Sequence, residues 1–174
     1  AGMLLDAGLT MATGGRQKVI AYFQSARPEA RARITSRTGW HATSDGPAVY
    51  VLPDRAFGPD AAEWLYEAEG SSVHAFKVKG TAEQWRDGIG HLCRGNSRLL
   101  FAVSVAFASP LLHLVGGESG GFHFRSNSSD GKTTALRVAC SVCGDGAYMQ
   151  RWRATDNGLE ALAMQHCDAL LALD

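Results

Sequence analysis

The chain has 174 residues, 45% of them hydrophobic, and its 17 Lys and Arg balance its 17 Asp and Glu. This length suits one domain or two small ones, and the composition excludes the biases of disordered and fibrous chains. The balanced charge excludes a protein that attracts nucleic acid through an overall positive charge, but it is compatible with a local basic patch.

The first third of the chain predicts a mixed α/β region. Apolar spacing predicts a helix from Gln17 to Ala26. Strands are predicted at Arg33 to His41 and at Ala48 to Leu52, joined as a hairpin because Asp45-Gly46 is a turn signal. Prolines and a glycine mark a loop over residues 53–59.

The next segment predicts a strand followed by a capped helix. Val73 to Val78 alternates apolar and polar residues, which is typical of a half-buried strand. Thr81 and Gln84 have the spacing of a capping box, and Gly95 is a natural C-terminal stop. Residues 1–96 are therefore predicted to form an N-terminal mixed α/β domain.

An apolar stretch without charged residues runs over the 17 residues from Leu99 to Val115. That length is at the lower end of the roughly 17–25 residues of membrane-spanning helices. Pro110 lies within the stretch, and no aromatic belt or basic cluster flanks it. We favour a buried core helix, bent or ended near Pro110, and expect no membrane partner.

Residues 97–174 predict the order of elements found in a parallel sheet covered by helices. The predicted elements are a strand at Gly121 to Arg125, a loop, a helix from Lys132 to about Val142, a strand at Tyr148 to Ala154, a helix from a capping signal at Asn157 to Glu160 to about His166, and an apolar strand at Asp168 to Asp174. The predicted fold class is α/β, with the mixed region followed by the first half of a P-loop NTPase sheet of RecA- or AAA-like type.

A phosphate-loop pattern lies between the first strand and helix of this second domain. Gly131, Lys132 and Thr133 match the end of Gly-x-x-x-x-Gly-Lys-Ser/Thr, while Ser126 occupies the first glycine position. Serine fits that position if its φ is negative. The predicted nucleotide-binding residues are Ser126, Ser128, Ser129, Asp130, Gly131, Lys132, Thr133 and Thr134.

The pattern assigns chemistry to three side chains. Lys132 is expected to reach the β- and γ-phosphates, and the Thr133 hydroxyl to bind Mg²⁺. Asp174 ends an apolar strand that follows the loop by one strand and one helix, the order expected for a second Mg²⁺ residue. Lys132 and Asp174 are thus the predicted catalytic residues, Thr133 and Asp174 the metal residues, and ATP with Mg²⁺ the predicted cofactors.

Cys140 and Cys143 form a C-x-x-C, which is compatible with redox chemistry or half a zinc site. Zinc requires a second pair of ligands at matching spacing, and Cys167 beside His166 does not supply one. We favour free, mostly buried thiols. The N-terminal residues show no secretory signal, so a cytoplasmic protein is expected.

Two further segments have alternative interpretations. Trp152 to Asn157 follows a predicted strand, where ligand contacts occur in such sheets, but a helix cap at Thr155 or Asn157 with Trp152 in the core is favoured. One interpretation of the first region is an aromatic and basic surface for single-stranded nucleic acid, formed by Arg33, Arg37, Trp40 and His41. A hairpin with solvated arginines and one packed tryptophan is favoured there.

Several motifs together resemble a bacterial P-loop family, domain-of-unknown-function family 927. The resemblance covers residues 95–144 and 152–174, together with TGWH at Thr38, YVLPD at Tyr50 and GTAEQWR at Gly80. It implies an ATPase associated with helicases or primases of phages, plasmids and mobile elements. Members of the family usually carry glycine where this chain has Ser126, and an Asp-Glu pair of which Asp174 is the match.

The resemblance implies that the parent protein couples ATP hydrolysis to work on DNA, in replication or in mobilisation of phage and mobile elements. Single-stranded DNA is the implied partner, and related motors are often hexameric. We expect this N-terminal part alone to bind nucleotide weakly, to hydrolyse it poorly and to self-associate through an open sheet edge. A catalytically inactive interaction module and a small-molecule phosphotransferase are the alternatives.

Overall fold

The computed structural model describes residues 6–8, 10, 12–29, 31–43, 48–67, 74–128 and 130–174. The chain divides into two compact units, residues 1–31 and residues 32–174. The boundary predicted after residue 96 lies inside the second unit and stays a prediction.

Helix α1, Gly15–Ser25, belongs to the first unit. It begins after Gly14, whose φ is +78°, a conformation that glycine adopts without strain. It ends where Ala26 turns to an extended conformation and donates its N–H to the Tyr22 carbonyl at 2.9 Å. The helix predicted from Gln17 to Ala26 is therefore confirmed.

Five short strands open the second unit. They are β1 Arg33–Thr35, β2 Gly39–His41, β3 Val49–Leu52, β4 Arg55–Phe57 and β5 Trp64–Tyr66. β1 pairs with β5 in parallel, and β2, β3 and β4 form an antiparallel sheet in that order. The predicted hairpin is confirmed by β2 and β3, with Trp40 opposite Tyr50. Its turn, residues 44–47, lies outside the described residues.

Two strand predictions in this region require correction. The single strand predicted over residues 33–41 is interrupted, because Thr35 Oγ1 accepts the Arg37 N–H at 3.2 Å and Gly39 has a φ of +92°. A side-chain bond to the backbone competes with the ladder bonds of a strand. The loop predicted over residues 53–59 contains β4, which returns beside β3 after a turn at Pro53 and Asp54.

The capping box is confirmed. Thr81 Oγ1 accepts the Gln84 N–H at 3.2 Å, and Gln84 Oε1 accepts the Thr81 N–H at 3.0 Å. Helix α2, Ala82–Trp85, continues as a π-helix over Arg86–Gly90. The strand predicted before it is reduced within residues 74–78 to a bridge between Phe76 and Gly144, and Val73 lies outside the described residues.

Helix α3, Ser97–Leu114, corrects the prediction for the apolar stretch. The helix does not end near Pro110, whose carbonyl accepts the Trp40 indole N–H at 2.6 Å. Only Ala102 and Ala106 are buried among its residues, so it is not a buried core helix within this chain. The large exposed side chains on it are Leu100, Phe101, Phe107, Leu111 and Leu114.

Among the described residues, α3 is the one helix whose length and composition would let it cross a membrane, and 11% of its 18 residues are buried. Length and composition alone do not distinguish a membrane span from the helix of a soluble protein. The expected lack of a membrane partner therefore stays a prediction.

Helices α4, Lys132–Cys140, and α5, Asp156–Gln165, lie where helices are predicted. The three strands predicted around them are mostly absent. Residues 121–125 have no regular secondary structure, and Gly146–Tyr148 is a 3₁₀-helix. A strand needs a partner backbone, and among the described residues the 121–125 segment pairs with none.

The remaining two predicted strands meet at one parallel bridge between Gln150 and Leu173. Three bonds support it: Gln150 N–H to Ala172 O at 2.9 Å, Asp174 N–H to Gln150 O at 2.9 Å, and Trp152 N–H to Asp174 O at 3.1 Å. The protein is thus a mixed α/β fold with helices and a small parallel sheet.

Two clusters form the core of this unit. Phe76, Cys140, Tyr148 and Ala172 are buried together in the first cluster. In the second cluster Ala102 and Ala106 of α3 pack against Ala135 and Ala139 of α4. Small side chains on both helices let the two backbones approach closely, which fixes α4 and the loop before it.

Candidate functional site

The predicted phosphate loop, residues 126–133, runs into the first turn of α4. Gly131 is the N-cap of the helix with a φ of +80°, a conformation that favours glycine although a Cβ there would contact nothing within 4 Å. The described non-glycine residues with positive φ are Asp60 and Asp168, so Ser126 has a negative φ. Serine therefore meets the backbone condition at the first loop position. Ser129 lies outside the described residues.

Lys132 folds back over the loop. Its ammonium donates to the Asn127 carbonyl at 2.5 Å, to the Ser126 carbonyl at 3.1 Å and to Ser126 Oγ at 3.3 Å. These bonds hold the positive charge above the loop, beside the N-terminus of α4. Both features favour an anion at this place.

The structure brings Thr133 and Asp174 together, although 41 positions separate them in the sequence. Thr133 Oγ1 lies 3.3 Å from Asp174 Oδ1 and 3.2 Å from Oδ2. The parallel bridge at Leu173 brings Asp174 to the first turn of α4. The hydroxyl and the carboxylate thus form a pair of hard oxygen ligands next to Lys132.

These two oxygen donors fit Mg²⁺, which is usually bound by one or two carboxylates together with substrate phosphates rather than by a complete protein cage. In the described part of the chain, no group of three or more His, Cys, Asp or Glu side chains is arranged for a metal ion. The pair therefore suits a metal that arrives with a phosphate ligand.

The other predicted loop residues lie around this pair. Ser128 and Asp130 are exposed, and Asp130 and Thr134 line a cleft beside the loop. Ala135 N–H already donates to Gly131 O at 2.9 Å. The N–H groups before Ala135 are the ones that the helix leaves for a ligand.

The four cysteines are free thiols, as predicted. Burial raises the pKa of Cys140 to about 11 and also raises the pKa of Cys143. Both thiols are therefore protonated at neutral pH, and a protonated thiol is a poor nucleophile and a poor metal ligand. Cys140 serves as a packing residue at the end of α4.

The segment Trp152 to Asn157 is partly as predicted. Thr155 caps α5 by accepting the Gly158 N–H at 3.2 Å, so the cap is not Asn157 and the helix starts earlier than the Glu160 signal predicts. Trp152 is 70% exposed, which makes its predicted core position wrong. Its backbone pairs with Asp174 instead. A role of this segment near the γ-phosphate stays a prediction.

A turn before the parallel bridge was not recognised in the sequence. We call residues 166–169 the Asp168 turn. Trp40 N–H donates to Asp168 Oδ2 at 2.9 Å, and Tyr50 Oη donates to the Asp168 carbonyl at 2.9 Å. Burial raises the pKa of Tyr50 well above its usual range, so this hydroxyl stays a donor. The partners are more than 100 residues apart, and the aromatic residues of the hairpin were the only available signal.

The four residues of the predicted aromatic and basic surface do not contact one another as one group; Trp40 and Arg33 contact different rings. Trp40 packs edge-on against Tyr50, with ring centroids 5.0 Å apart, as the hairpin interpretation predicts. Arg33 instead lies over Trp64, 5.7 Å from the ring centroid, and His41 contacts the same ring. Binding of single-stranded DNA stays a prediction.

A family model described as Domain of unknown function (DUF927) matches residues 1–174. The chain belongs to the DUF927 family. Neither a curated protein nor a solved structure matches the chain significantly. The family membership predicted from the motifs is confirmed. The function of this DUF927 protein is therefore argued from the geometry of its own residues.

Proposed function

We propose that this DUF927 chain binds a nucleoside triphosphate together with Mg²⁺ at the phosphate loop, and that it is part of a helicase-like ATPase. The contact between Thr133 and Asp174 carries the proposal. In P-loop NTPases the metal is held by the loop Ser or Thr and by an Asp that follows a later strand. A turn joins residues that are close in the sequence, so a turn alone does not account for a contact between residues 41 positions apart.

Lys132 is the phosphate-binding cation of the proposed site. In the structure its ammonium bonds the carbonyls of Ser126 and Asn127. A bound triphosphate would replace these neutral acceptors with charged oxygens, and charge-assisted bonds are the stronger ones. The exchange brings the β- and γ-phosphates under the first turn of α4, whose N–H groups and dipole also favour the anion.

Thr133 and Asp174 are the residues that would hold Mg²⁺, with the remaining ligands coming from phosphate and water. The metal, when bound, neutralises charge that develops on the phosphates. Thr133 contributes a neutral hydroxyl and Asp174 a full negative charge. Loss of either side chain should therefore affect nucleotide binding with Mg²⁺ more than binding without it.

The finer assignment to ATP, to helicase-like work on DNA and to replication or mobilisation of mobile elements is supported by the family resemblance. It is proposed for the parent protein. Self-association and a hexameric assembly belong to the same proposal. Stimulation of ATP hydrolysis by single-stranded DNA would separate this function from that of a small-molecule phosphotransferase.

The experiment that tests nucleotide binding is calorimetric titration of the protein with Mg²⁺-ATP. Lys132→Ala should weaken the affinity about tenfold or more, because it removes charge-assisted bonds to phosphate. Lys79→Ala removes an exposed lysine outside the site and should leave the affinity unchanged. Thr133→Ala should reduce the ratio between the affinities measured with Mg²⁺ and with EDTA.

Thermal melting of each variant establishes that the fold is retained. If the wild-type protein binds no nucleotide, or Lys132→Ala binds it as well as wild type, the proposal fails. In that case the loop is a structural turn in an interaction module.

A further inference from the structure

A cleft of about 260 Å³ lies beside the phosphate loop. Residues from the first turn of α3, from the segment before the loop, from the loop itself and from the first turn of α4 line it. Pockets for whole drug-sized ligands enclose roughly 300–1,000 Å³. The cleft is thus large enough for part of such a ligand, and one end of it is formed by the loop proposed to bind the phosphates.

One side of the cleft is apolar. Leu99, Phe124 and Ala135 line it, and Leu99 and Phe124 are half-buried against the alanine cluster between α3 and α4. The Phe124 ring is further fixed by an edge-to-face contact with Phe101, with centroids 6.3 Å apart. A fixed aromatic ring on an apolar wall suits a flat, weakly polar group.

The other side of the cleft is basic. Arg98, Arg125 and Lys132 line it, against the single carboxylate of Asp130. Within the described part of the chain, the guanidinium groups of Arg98 and Arg125 make no hydrogen bond or ion pair. Arginines without a protein partner can stack on a planar ring and donate to its edge.

We propose that this cleft takes the nucleoside end of the bound nucleotide, with the base against Phe124 and Leu99 and with Arg98 and Arg125 closing over it. Phosphate charge is disfavoured against the apolar wall, where it would lose its water. A nucleobase with its sugar has both an aromatic face and polar edges, as the two sides require. The inference rests on the nucleotide binding proposed above.

The test compares two probes, Mg²⁺-ATP and Mg²⁺-tripolyphosphate, which share the phosphate chain and differ in the nucleoside. Phe124→Ala should weaken ATP binding about tenfold, as loss of a base-stacking ring does, and leave tripolyphosphate binding unchanged. Arg98→Gln should weaken ATP binding about threefold with the same selectivity. Phe122→Ala and Arg94→Gln are the matched controls, because neither residue lines the cleft.

The outcomes separate the two proposals. If wild type binds neither probe, the proposed function itself fails. If wild type binds both probes equally tightly, or if the cleft variants weaken tripolyphosphate as much as ATP, nucleotide binding stands and the nucleoside assignment is overturned. Arg98 lies on the surface, so Arg98→Gln keeps the test decisive if Phe124→Ala fails to fold.

Discussion

The C-terminal segment of the chain, residues 166–174, is held very differently at its two ends. At its start the Asp168 turn receives bonds from Trp40 and Tyr50, and Tyr148 Oη donates to the Leu170 carbonyl at 2.6 Å. At its end Asp174 is exposed and contacts Thr133 through bonds of 3.2 and 3.3 Å. The bonds at the start are part-buried, and those at the end are exposed.

This difference separates the supporting structure from the proposed site. Hydrogen bonds that are shielded from water are costly to break, because the donor and acceptor are then left without either each other or water as a partner. Exposed bonds exchange readily with water or with a ligand. The bonds at the start thus help to position Asp174, while its exposed carboxylate bonds only the Thr133 hydroxyl among the described side chains.

The Asp168 turn also carries backbone strain. Asp168 has a φ of +51°, a conformation that costs a non-glycine residue free energy and persists only where its surroundings impose it. The turn begins at His166, which is buried and donates Nδ1–H to the Leu162 carbonyl at 2.8 Å. Burial lowers the pKa of His166, so its ring is neutral at neutral pH.

The largest expected effect comes from Gly39→Ala, which disturbs the start of the segment. Gly39 has a φ of +92°, and a Cβ there would lie 2.5 Å from Asp168 Oδ2 and 2.7 Å from the Cys167 carbonyl. The left-handed conformation and the overlap together should lower the free energy of unfolding by about 2–5 kcal/mol. Chemical denaturation measures this change.

Gly95→Ala is the matched control for that prediction. Gly95 has a φ of +78° with nothing within 4 Å of the added Cβ, so the conformational cost alone should remain, about 1–2 kcal/mol. Equal losses in the two variants would show that Gly39 does not depend on its contact with the Asp168 turn.

A smaller effect is expected from Tyr50→Phe, which removes one bond to the start of the segment. The variant loses the hydroxyl that donates to the Asp168 carbonyl and should be less stable by about 1 kcal/mol. Tyr66→Phe is the control, since the Tyr66 hydroxyl forms no hydrogen bond with the described residues. If Tyr50→Phe melts at the same temperature as wild type, the bond from Tyr50 to the Asp168 turn does not stabilise the fold.

The smallest effect on stability is expected from Asp174→Asn at the end of the segment. The side chain is exposed and its bonds to Thr133 are long, so the free energy of unfolding should change by no more than about 0.5 kcal/mol. Under the proposed function, Mg²⁺-dependent nucleotide binding should fall in the same variant. A loss of stability as large as that of Gly39→Ala would remove the contrast between the two ends.

Local sequence signals predicted the elements whose bonds are local. The capping box at Thr81 and Gln84 and the helix after Gly131 are closed by bonds that span a few residues, so short patterns contain all the required partners. The strand predicted at residues 121–125 failed because a strand depends on a partner that the pattern does not name.

The apolar stretch shows the same limit for burial. Its composition predicted a core helix, but in this chain only Ala102 and Ala106 are covered, where alanines of α4 meet them. The hydrophobicity of a side chain shows that its burial would be favourable. Whether it is buried depends on which other elements pack against it.

The sequence by itself determined the helix after Gly131 and membership of the DUF927 family, because each depends on a run of neighbouring residues or on motifs in a fixed order. Only the tertiary structure decided that Thr133 meets Asp174 and that the hairpin supports the Asp168 turn. Such contacts join residues far apart in the chain, and they form where packing of the alanine helices and the buried cluster around Tyr148 brings the backbones together.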